Sequence, residues 1–385
     1  MSIARTRQRK QGKKIKYFDY SLLAVLIFLI CFGLIMLYST SYYEAVEKFS
    51  DSKYYFKRQL VIMLVSLVLM WIITKIDYHF YAPLAKFFFG FSIFLMALVQ
   101  TPLGVELNGA RRWIRMPANQ QLQPSEVAKI AVIIFIPYII CKMGKKVLTL
   151  EGVGKVLAYG IFSAGCVFIL TDNLSTAIIV FGITCAMIFV IHPKTAPFLG
   201  IIIAGFAAIF IGVWFIMKFM SDSDNFRIRR LLVWLQPENY AKGDGYQVLQ
   251  ALYAIGSGGF WGKGLGNSTQ KLIIPEVQND MIISVICEEL GVFGAIVVLV
   301  LFGLLLYRIL FIARNAPDLF GSLIATGVFA HIALQVILNI AVVSNLMPNT
   351  GITLPFISYG GTSVLFLMIE MGIVLGISRT IKFEE

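Results

Sequence analysis

Long runs of apolar residues, each about the length that crosses a bilayer, alternate with short polar segments along the chain. A hydrocarbon core about 30 Å thick needs about 20 residues of α-helix. The pattern therefore predicts an all-α polytopic membrane protein with about ten transmembrane helices. The predicted spans lie near residues 19–40, 58–75, 82–101, 124–142, 155–171, 174–192, 197–217, 281–312, 318–343 and 355–378. Because only Thr171, Asp172 and Asn173 separate the fifth span from the sixth, nine or eleven spans are alternatives.

The composition excludes other classes of protein. Hydrophobic residues make up 58% of the chain and charged residues 14%, whereas soluble domains are about a quarter charged. Disorder needs high charge with low hydrophobicity, so it is excluded except at the ends. The five cysteines form no CxxC pair and the three histidines no HExxH motif, so neither a zinc site nor a histidine-based nucleophile relay is indicated.

The distribution of the cations predicts the orientation, since short loops rich in Lys and Arg stay in the cytoplasm. It places both termini inside, with residues 1–18 as a basic cytoplasmic tail and 19–385 as a single transmembrane domain. The tail fixes topology and contacts anionic lipid, although a nucleic-acid arm is the alternative. Two long extracytoplasmic loops follow, 102–123 and, between spans 7 and 8, 218–280.

Ionisable groups within spans are costly and therefore functional candidates. Glu126 and Lys129 share one helix face, as an ion pair that is either functional or purely structural. Asp280, Ser284 and Glu288 recur every four residues, which predicts a polar track entering the bundle from its outer end.

The ninth and last spans carry further polar groups. His331, Gln335 and Asn339 have the same four-residue spacing, so they either face that track or join helices by hydrogen bonds, and the latter is favoured for His331. Glu370 has no cation nearby in the sequence, so it must pair elsewhere, be protonated or face water.

Cations also cluster in the outer loops. Guanidinium groups bind phosphates through two parallel hydrogen bonds, so the cluster suits a lipid-linked phosphate or diphosphate, with ordinary anionic headgroups as the alternative. The cations are Arg111, Arg112, Arg115, Arg227, Arg229, Arg230 and Lys271. Residues 225–235 alternate cations with apolar residues, as in a helix on the membrane surface. Gly262-Lys263-Gly264 matches the end of a phosphate-binding P-loop poorly and faces outward, so its glycines are expected either to make tight turns or to let lipid headgroups approach backbone amides.

Several motifs are distinctive. The segment 348–363 reads PNTGITLPFISYGGTS and enters the last span. Others are NGARRW at 108–113, QPSE at 123–126 with Lys129, GYQ at 245–247, IGSGG at 255–259, GLGNS at 264–268, Gln270-Lys271, Pro275-Glu276, Asp280 and EELG at 288–291. With these motifs the whole chain resembles the SEDS family. The sequences of the motifs are more similar to those of the division and sporulation branch than to those of the rod-shape branch. Two departures are Gln278-Asn279 before Asp280, where the family often has His-Thr, and Asn173 in place of an acid.

The resemblance implies a peptidoglycan glycosyltransferase that polymerises lipid II on the outer face of the cell membrane, during cell division or cell-wall growth. It also implies a class B penicillin-binding protein as partner, other divisome or elongasome membrane proteins, and a place at the division septum. Asp280 matches the family's proposed catalytic aspartate. The substrate-binding candidates are Arg111, Arg112, Glu126, Lys129, Gln270, Lys271, Glu288 and Ser358.

The residues permit a matching mechanism, in which Asp280 is the general base for an attacking sugar hydroxyl. The cations Arg111, Arg112, Lys129 and Lys271, or a divalent metal such as Mg²⁺ or Mn²⁺, would absorb the charge of a leaving diphosphate. Two alternatives are a lipid II flippase, with Ser284, Glu288, Gln335 and Glu370 as its path, and a scaffold that activates a transpeptidase. The concentration of polar motifs at the outer surface favours the enzyme.

Overall fold

The computed structural model describes residues 15–107, 110–116, 120–193, 200, 226–241, 243 and 245–383. Its helices are α1 (Tyr20–Phe49), α2 (Tyr54–Ile73), α3 (Tyr81–Leu98), α4 (Pro124–Met143), α5 (Leu150–Thr171), α6 (Leu174–Ile191), α7 (Phe226–Leu235), α8 (Tyr246–Ser257), α9 (Ile282–Asn315), α10 (Leu319–Val343) and α11 (Gly361–Ser378). Among the described residues, nine helices are long and apolar enough to cross a membrane. The all-α polytopic prediction is confirmed, and these nine helices match nine predicted spans. The predicted span 197–217 and residues 1–14 of the predicted tail lie outside the described residues.

The tight connection predicted between the fifth and sixth spans is present. Helix α5 ends at Thr171, and Asp172 reverses the chain with a left-handed φ of 48°. Asn173 then caps α6, because its side-chain oxygen accepts a hydrogen bond from the Thr176 N–H at 3.1 Å. Two residues therefore suffice to turn the chain.

The two ends of the described chain meet at one end of the bundle. Strand β1 (Ile15–Lys16) pairs antiparallel with β5 (Lys382–Phe383). Asp19 caps α1 and also binds Arg308 of α9, with the Arg308 Nη2 2.7 Å from Asp19 Oδ2. The cation distribution assigns this end to the cytoplasm.

The opposite, outer end holds a small antiparallel sheet that the sequence did not predict. It consists of β2 (Gly104–Leu107), β3 (Ala110–Met116) and β4 (Gln120–Leu122), in that order. Pro124 at the first turn of α4 fits a helix start, since that position needs no backbone N–H. The predicted amphipathic segment forms α7, which docks on the end of α10 through a 3.0 Å bond from Trp234 Nε1 to the Asn345 carbonyl.

The last helix begins later than predicted, at Gly361 and not near residue 355. The preceding segment, 348–360, folds back into the bundle as an irregular loop, here called the signature loop. Its Leu354, Phe356 and Ile357 are buried. Gly33 of α1 permits this packing, because a Cβ there would lie 2.7 Å from the Phe356 carbonyl oxygen. The loop therefore brings its polar residues to the outer end of the bundle.

Candidate active site

A polar cavity of about 570 Å³ opens at the outer end of the bundle. Residues from most of the chain line it, including Glu44, Lys48, Tyr55, Arg58, Arg112, Gln123, Glu126, Lys129, Asn173, Arg230, Gln247, Glu276, Gln278, Asp280, Gln335 and 349–353. The α1–α2 corner, the sheet, the segment before α9 and the signature loop thus converge on one site. Its size is in the range of small-molecule sites.

Asp280 lies in this cavity, in the loop that precedes α9. The residue is only 9% exposed. Burial raises the pKa of its carboxyl group to about 6, and the nearby Glu276 adds to the rise, whereas the backbone N–H and Arg230 oppose it. A carboxyl group with this pKa is mostly ionised at neutral pH and can still accept a proton, as a general base requires.

The loop that carries Asp280, residues 275–281 (the acid loop), is held by several partners. Gln278 accepts a hydrogen bond from the Tyr359 N–H through its carbonyl, at 2.9 Å. Its side-chain Nε2 donates to Glu44 Oε2 of α1 at 2.8 Å. The Gln278 side chain, which stands where the family often has histidine, therefore ties the acid loop to the first helix.

Two guanidinium groups line the same cavity as the Asp280 carboxyl group. The Arg112 Nη2 donates to the Asp172 carbonyl at 3.1 Å, and the Arg230 Nη1 to the Asn349 carbonyl at 3.4 Å. Burial lowers the pKa of Arg112, and the positive charge of Arg230 lowers it further. Two adjacent cations of this kind form a site suited to an anion.

Gly351 lies near both the acid and one of these cations. A Cβ on Gly351 would lie 4.0 Å from both Arg112 Nη1 and Asp280 Oδ2. The buried Arg112 Nε has no hydrogen-bond partner among the described residues. A ligand placed here could therefore contact the carboxylate and the guanidinium together.

A buried chain of polar side chains runs from the cavity into the bundle. Lys129 Nζ is 2.9 Å from Glu126 Oε1, which confirms the ion pair, and it donates to Gln335 Oε1 at 3.3 Å. His331 Nε2 is 2.9 Å from the same Gln335 oxygen, and its Nδ1 is 2.7 Å from Glu370 Oε2. The chain joins α4, α10 and α11, so His331 does join helices and Glu370 does pair elsewhere.

The polar track predicted along α9 does not form, because Asp280 lines the cavity, whereas Ser284 Oγ donates to the Met281 carbonyl at 2.7 Å and Glu288 lies outside the cavity lining. The helix breaks at Gly291, where φ is 67°. The turn 258–266, here called the Gly turn, packs against this break, with the Lys263 N–H donating to the Glu288 carbonyl at 2.9 Å. Gly262 fits only without a side chain, because a Cβ would lie 2.2 Å from the Glu289 carbonyl oxygen. The glycines therefore serve a tight turn, as the sequence indicated.

Glu288 points at the Gly turn. Its carboxylate binds Lys263 Nζ at 2.6 Å and the Gln270 N–H at 3.2 Å, and it accepts further bonds from Ser268 and Thr269. Lys271 lies nearby, with its Nζ 2.9 Å from Glu289 Oε1. The charges of this network neutralise one another.

Five predicted substrate-binding residues consequently lie apart from the cavity lining. Glu288, Gln270 and Lys271 belong to the network at the Gly turn. Arg111 is exposed and 3.3 Å from Glu106 on the neighbouring strand. Ser358 is buried and accepts a hydrogen bond from the Leu354 N–H at 2.9 Å. These five side chains make the local contacts just described, and Lys271 also lines a second cavity, so their part in substrate binding stays a prediction.

The structure does bring Asp280, Arg112, Glu126 and Lys129 together. Of the other outer cations, Arg230 joins them, Arg115 is exposed, and the side chains of Arg227 and Arg229 lie outside the described residues. Further lining residues were not predicted as site residues, notably Glu44, Tyr55, Arg58, Gln247 and Asn349. The sequence contained one indication that Glu44 and Arg58 could reach the site, because both are charged residues at the outer ends of spans.

Fold and site together define a multi-pass membrane protein with a polar cavity at the outer end of the bundle, in which the buried Asp280 lies with several charged side chains. The FtsW/RodA/SpoVE family, described as "Cell cycle protein", matches residues 20–382. The chain belongs to this family.

Individual relatives match over nearly their full length. The chain is 38% identical to stage V sporulation protein E of Bacillus subtilis, covering 95% of this chain and 98% of that protein. It is 36% identical to the probable peptidoglycan glycosyltransferase FtsW of Trichlorobacter lovleyi, covering 96% and 95%. A chain from a solved structure described as "Structural coordination of polymerization and crosslinking by a peptidoglycan synthase complex" shares the fold, with a TM-score of 0.76, 24% identity and coverage of 94% and 98%.

Proposed function

We propose that this protein is a peptidoglycan glycosyltransferase that polymerises lipid II at the outer face of the cell membrane. The observation that carries the proposal is the presence of the buried Asp280 carboxyl group and two guanidinium groups in the lining of one outer cavity. Relatives named as probable peptidoglycan glycosyltransferases support the same reaction. A lipid-linked substrate would reach such a cavity from the outer leaflet.

Asp280 acts as the general base. The sugar hydroxyl of the acceptor attacks the anomeric carbon of the donor, and its proton passes to the Asp280 carboxylate. The bond from the anomeric carbon to the diphosphate oxygen breaks as the new glycosidic bond forms. This single displacement inverts the anomeric configuration, so an α-linked donor gives a β-linked product.

The guanidinium groups stabilise the leaving diphosphate. Arg230 lies close enough to Arg112 to lower the pKa of the Arg112 guanidinium, and a bound dianion relieves that repulsion. Lys129 is already paired with Glu126, so it contributes less net charge. We therefore assign the leaving-group role to Arg112 and Arg230, in place of the predicted Arg111 and Lys271.

A divalent metal is part of the proposal only as a companion of the substrate. The described residues contain no group of three or more His, Cys, Asp or Glu side chains that could hold an ion. Mg²⁺ commonly uses one or two carboxylates plus substrate phosphates, so Glu276 would suffice as its protein ligand and Asp280 would stay free to accept a proton. Such an ion would add positive charge at the leaving group.

The proposed partner is a class B penicillin-binding protein, which crosslinks the strands. The structural relative comes from a peptidoglycan synthase complex in which polymerisation and crosslinking are coordinated, and this supports the pairing. Division-type relatives also support a place among divisome proteins at the septum, with elongation as the alternative setting.

The test measures incorporation of fluorescent lipid II into glycan strands by the purified protein with its transpeptidase partner. Asp280→Asn removes the base with little change in volume, so we expect a rate loss of at least about 100-fold. Asp51→Asn is the matched control, because it makes the same change at an outer carboxylate outside the cavity that pairs with Lys57. The control should retain the wild-type rate.

Wild-type rates in folded Asp280→Asn protein would refute the assignment of the base. If the wild-type complex is folded and forms no polymer, while lipid II crosses vesicle bilayers that contain it, the transport alternative replaces the proposed reaction. An active transpeptidase with no polymer and no transport would indicate a scaffold.

A further inference from the structure

Asn339 of α10 is fully buried and bonds to two backbone carbonyls from different parts of the chain. Its Nδ2 donates to the Asp280 carbonyl at 2.9 Å and to the Ile352 carbonyl at 2.7 Å. An amide nitrogen has two hydrogens, so both are used. Because both partners are acceptors, the amide orientation is fixed, and the buried Oδ1 has no hydrogen-bond partner among the described residues.

These two bonds join the two loops that form the site. The Asp280 carbonyl belongs to the acid loop, and the Ile352 carbonyl belongs to the signature loop. Gly351, the preceding residue in that loop, lies near both Asp280 Oδ2 and Arg112 Nη1. One side-chain amide thus sets the spacing between the backbone of the acid and the loop that lies near both the acid and the cation.

The same face of α10 makes a second connection one turn deeper. Gln335 Nε2 donates to the Thr353 carbonyl at 3.0 Å, while its Oε1 faces Lys129 and His331. Gln335 therefore holds the signature loop but makes no bond to the acid loop. Asn339 differs because it bonds to both loops.

We propose that Asn339 is a positioning residue for the polymerisation reaction, holding the Asp280 backbone against the signature loop so that the carboxylate stays beside the cation. This role rests on the proposed function, because Asn339 can position a catalytic group only if Asp280 is the base. A small misplacement of a catalytic group can cost about 100-fold in rate. Releasing the acid loop also lets water reach the carboxylate, which removes the main cause of its raised pKa.

Other titratable and charged groups around Asp280 stay in place in this comparison. They are Glu276 on the acid loop, Arg112 on β3, Arg230 on α7, Glu126 and Lys129 on α4, Glu44 and Lys48 on α1, Tyr55 and Arg58 on α2, and Tyr359 on the signature loop. A change in the pH profile of an Asn339 variant is therefore attributable to the geometry of the acid loop and to its hydration.

The test compares Asn339→Ala and Asn339→Asp with wild type in the purified complex. Asn339→Ala removes both donors, and Asn339→Asp places acceptor oxygens against both carbonyls. We expect kcat to fall by about 10- to 100-fold with little change in KM. We also expect the pH of half-maximal rate to move from about 6 towards the ordinary aspartate value of 3.8.

Thr326→Val is the matched control, because Thr326 is buried on the same helix and bonds only to its own helix, at the Ser322 carbonyl, 2.8 Å away. All rates are expressed per folded molecule, measured by size-exclusion chromatography. A purely structural role would lower the folded fraction and leave the pH midpoint unchanged, and that result would overturn the proposal. Unchanged kcat, or failure of both variants to fold, would overturn it too. An active wild type with inactive Asp280→Asn shows that the proposed function itself holds.

Discussion

The cavity around Asp280 and the network at the Gly turn both contain buried carboxylates and cations at the outer end of the bundle, yet they differ in how those charges are matched. At the Gly turn, Glu288 and Glu289 each bind a lysine and hydroxyl groups. In the cavity, Asp280 has a raised pKa and Arg112 retains a buried N–H without a hydrogen-bond partner among the described residues. A neutralised network stabilises a fold, whereas an incompletely matched one is suited to bind and react.

The largest expected effect tests whether the neutralised network at the Gly turn stabilises the fold. Glu288→Ala leaves Lys263 and several donors without their acceptor, so the free energy of unfolding should fall by about 3–5 kcal/mol. Thermal unfolding in detergent measures the loss. In the double variant Glu288→Ala/Lys263→Ala the uncompensated cation is absent, so part of the stability should return. Full stability in the single variant would contradict the assignment of Glu288 to structure.

The next effect tests whether the incompletely matched charges of the cavity take part in the reaction. Arg112→Ala removes a cation from the leaving-group site, so we expect kcat to fall by about 100- to 1,000-fold, which corresponds to about 2.7–4 kcal/mol of transition-state stabilisation. Stability should change little, since its guanidinium is not matched by a carboxylate bond. Arg111→Ala is the control, because Arg111 is the neighbouring residue but lies outside the cavity lining. Equal losses in both variants would show that the outer cations act together and not through the cavity.

Ionisation of Asp280 should lower the free energy of unfolding, which is unusual for an aspartate. Folding raises the pKa of its carboxyl group from 3.8 to about 6, so the folded protein binds the proton more tightly. The stabilising contribution is fully present below about pH 4 and is lost as the pH rises through about 6. Asp280→Asn should therefore be more stable than wild type at pH 8, by up to about 3 kcal/mol, and equal to it near pH 4.

This prediction is tested by the unfolding midpoints of wild type and Asp280→Asn, measured at pH 4 and at pH 8. A variant less stable than wild type at pH 8 would mean that the carboxylate is stabilised by its neighbours. The polymerisation rate of the wild type should rise with pH through about 6 for the same reason, because only the ionised carboxyl group accepts the proton.

The membrane helices were predictable from the sequence because length and hydrophobicity suffice to define a span. The contents of the cavity were only partly predictable. Lys129 and Lys271 were both predicted as cations for the substrate diphosphate, but Lys129 lines the cavity and Lys271 lies at the Gly turn. Glu44 and Gln247 reach the cavity only through tertiary packing, which no spacing in the sequence reveals.

The smallest effect concerns the tie between the acid loop and α1, which replaces the family's histidine with Gln278. Glu44→Ala removes the acceptor for Gln278 Nε2, and the loss of one hydrogen bond is worth about 1 kcal/mol, or roughly a five-fold lower rate. Glu44→Gln keeps an acceptor oxygen at the same place, so it should retain most of the activity. Glu47→Ala controls for the loss of an outer carboxylate, because Glu47 is exposed on the same helix. If Glu44→Gln is as slow as Glu44→Ala, the charge of Glu44 matters more than its hydrogen bond, and α1 takes part in the electrostatics of the cavity.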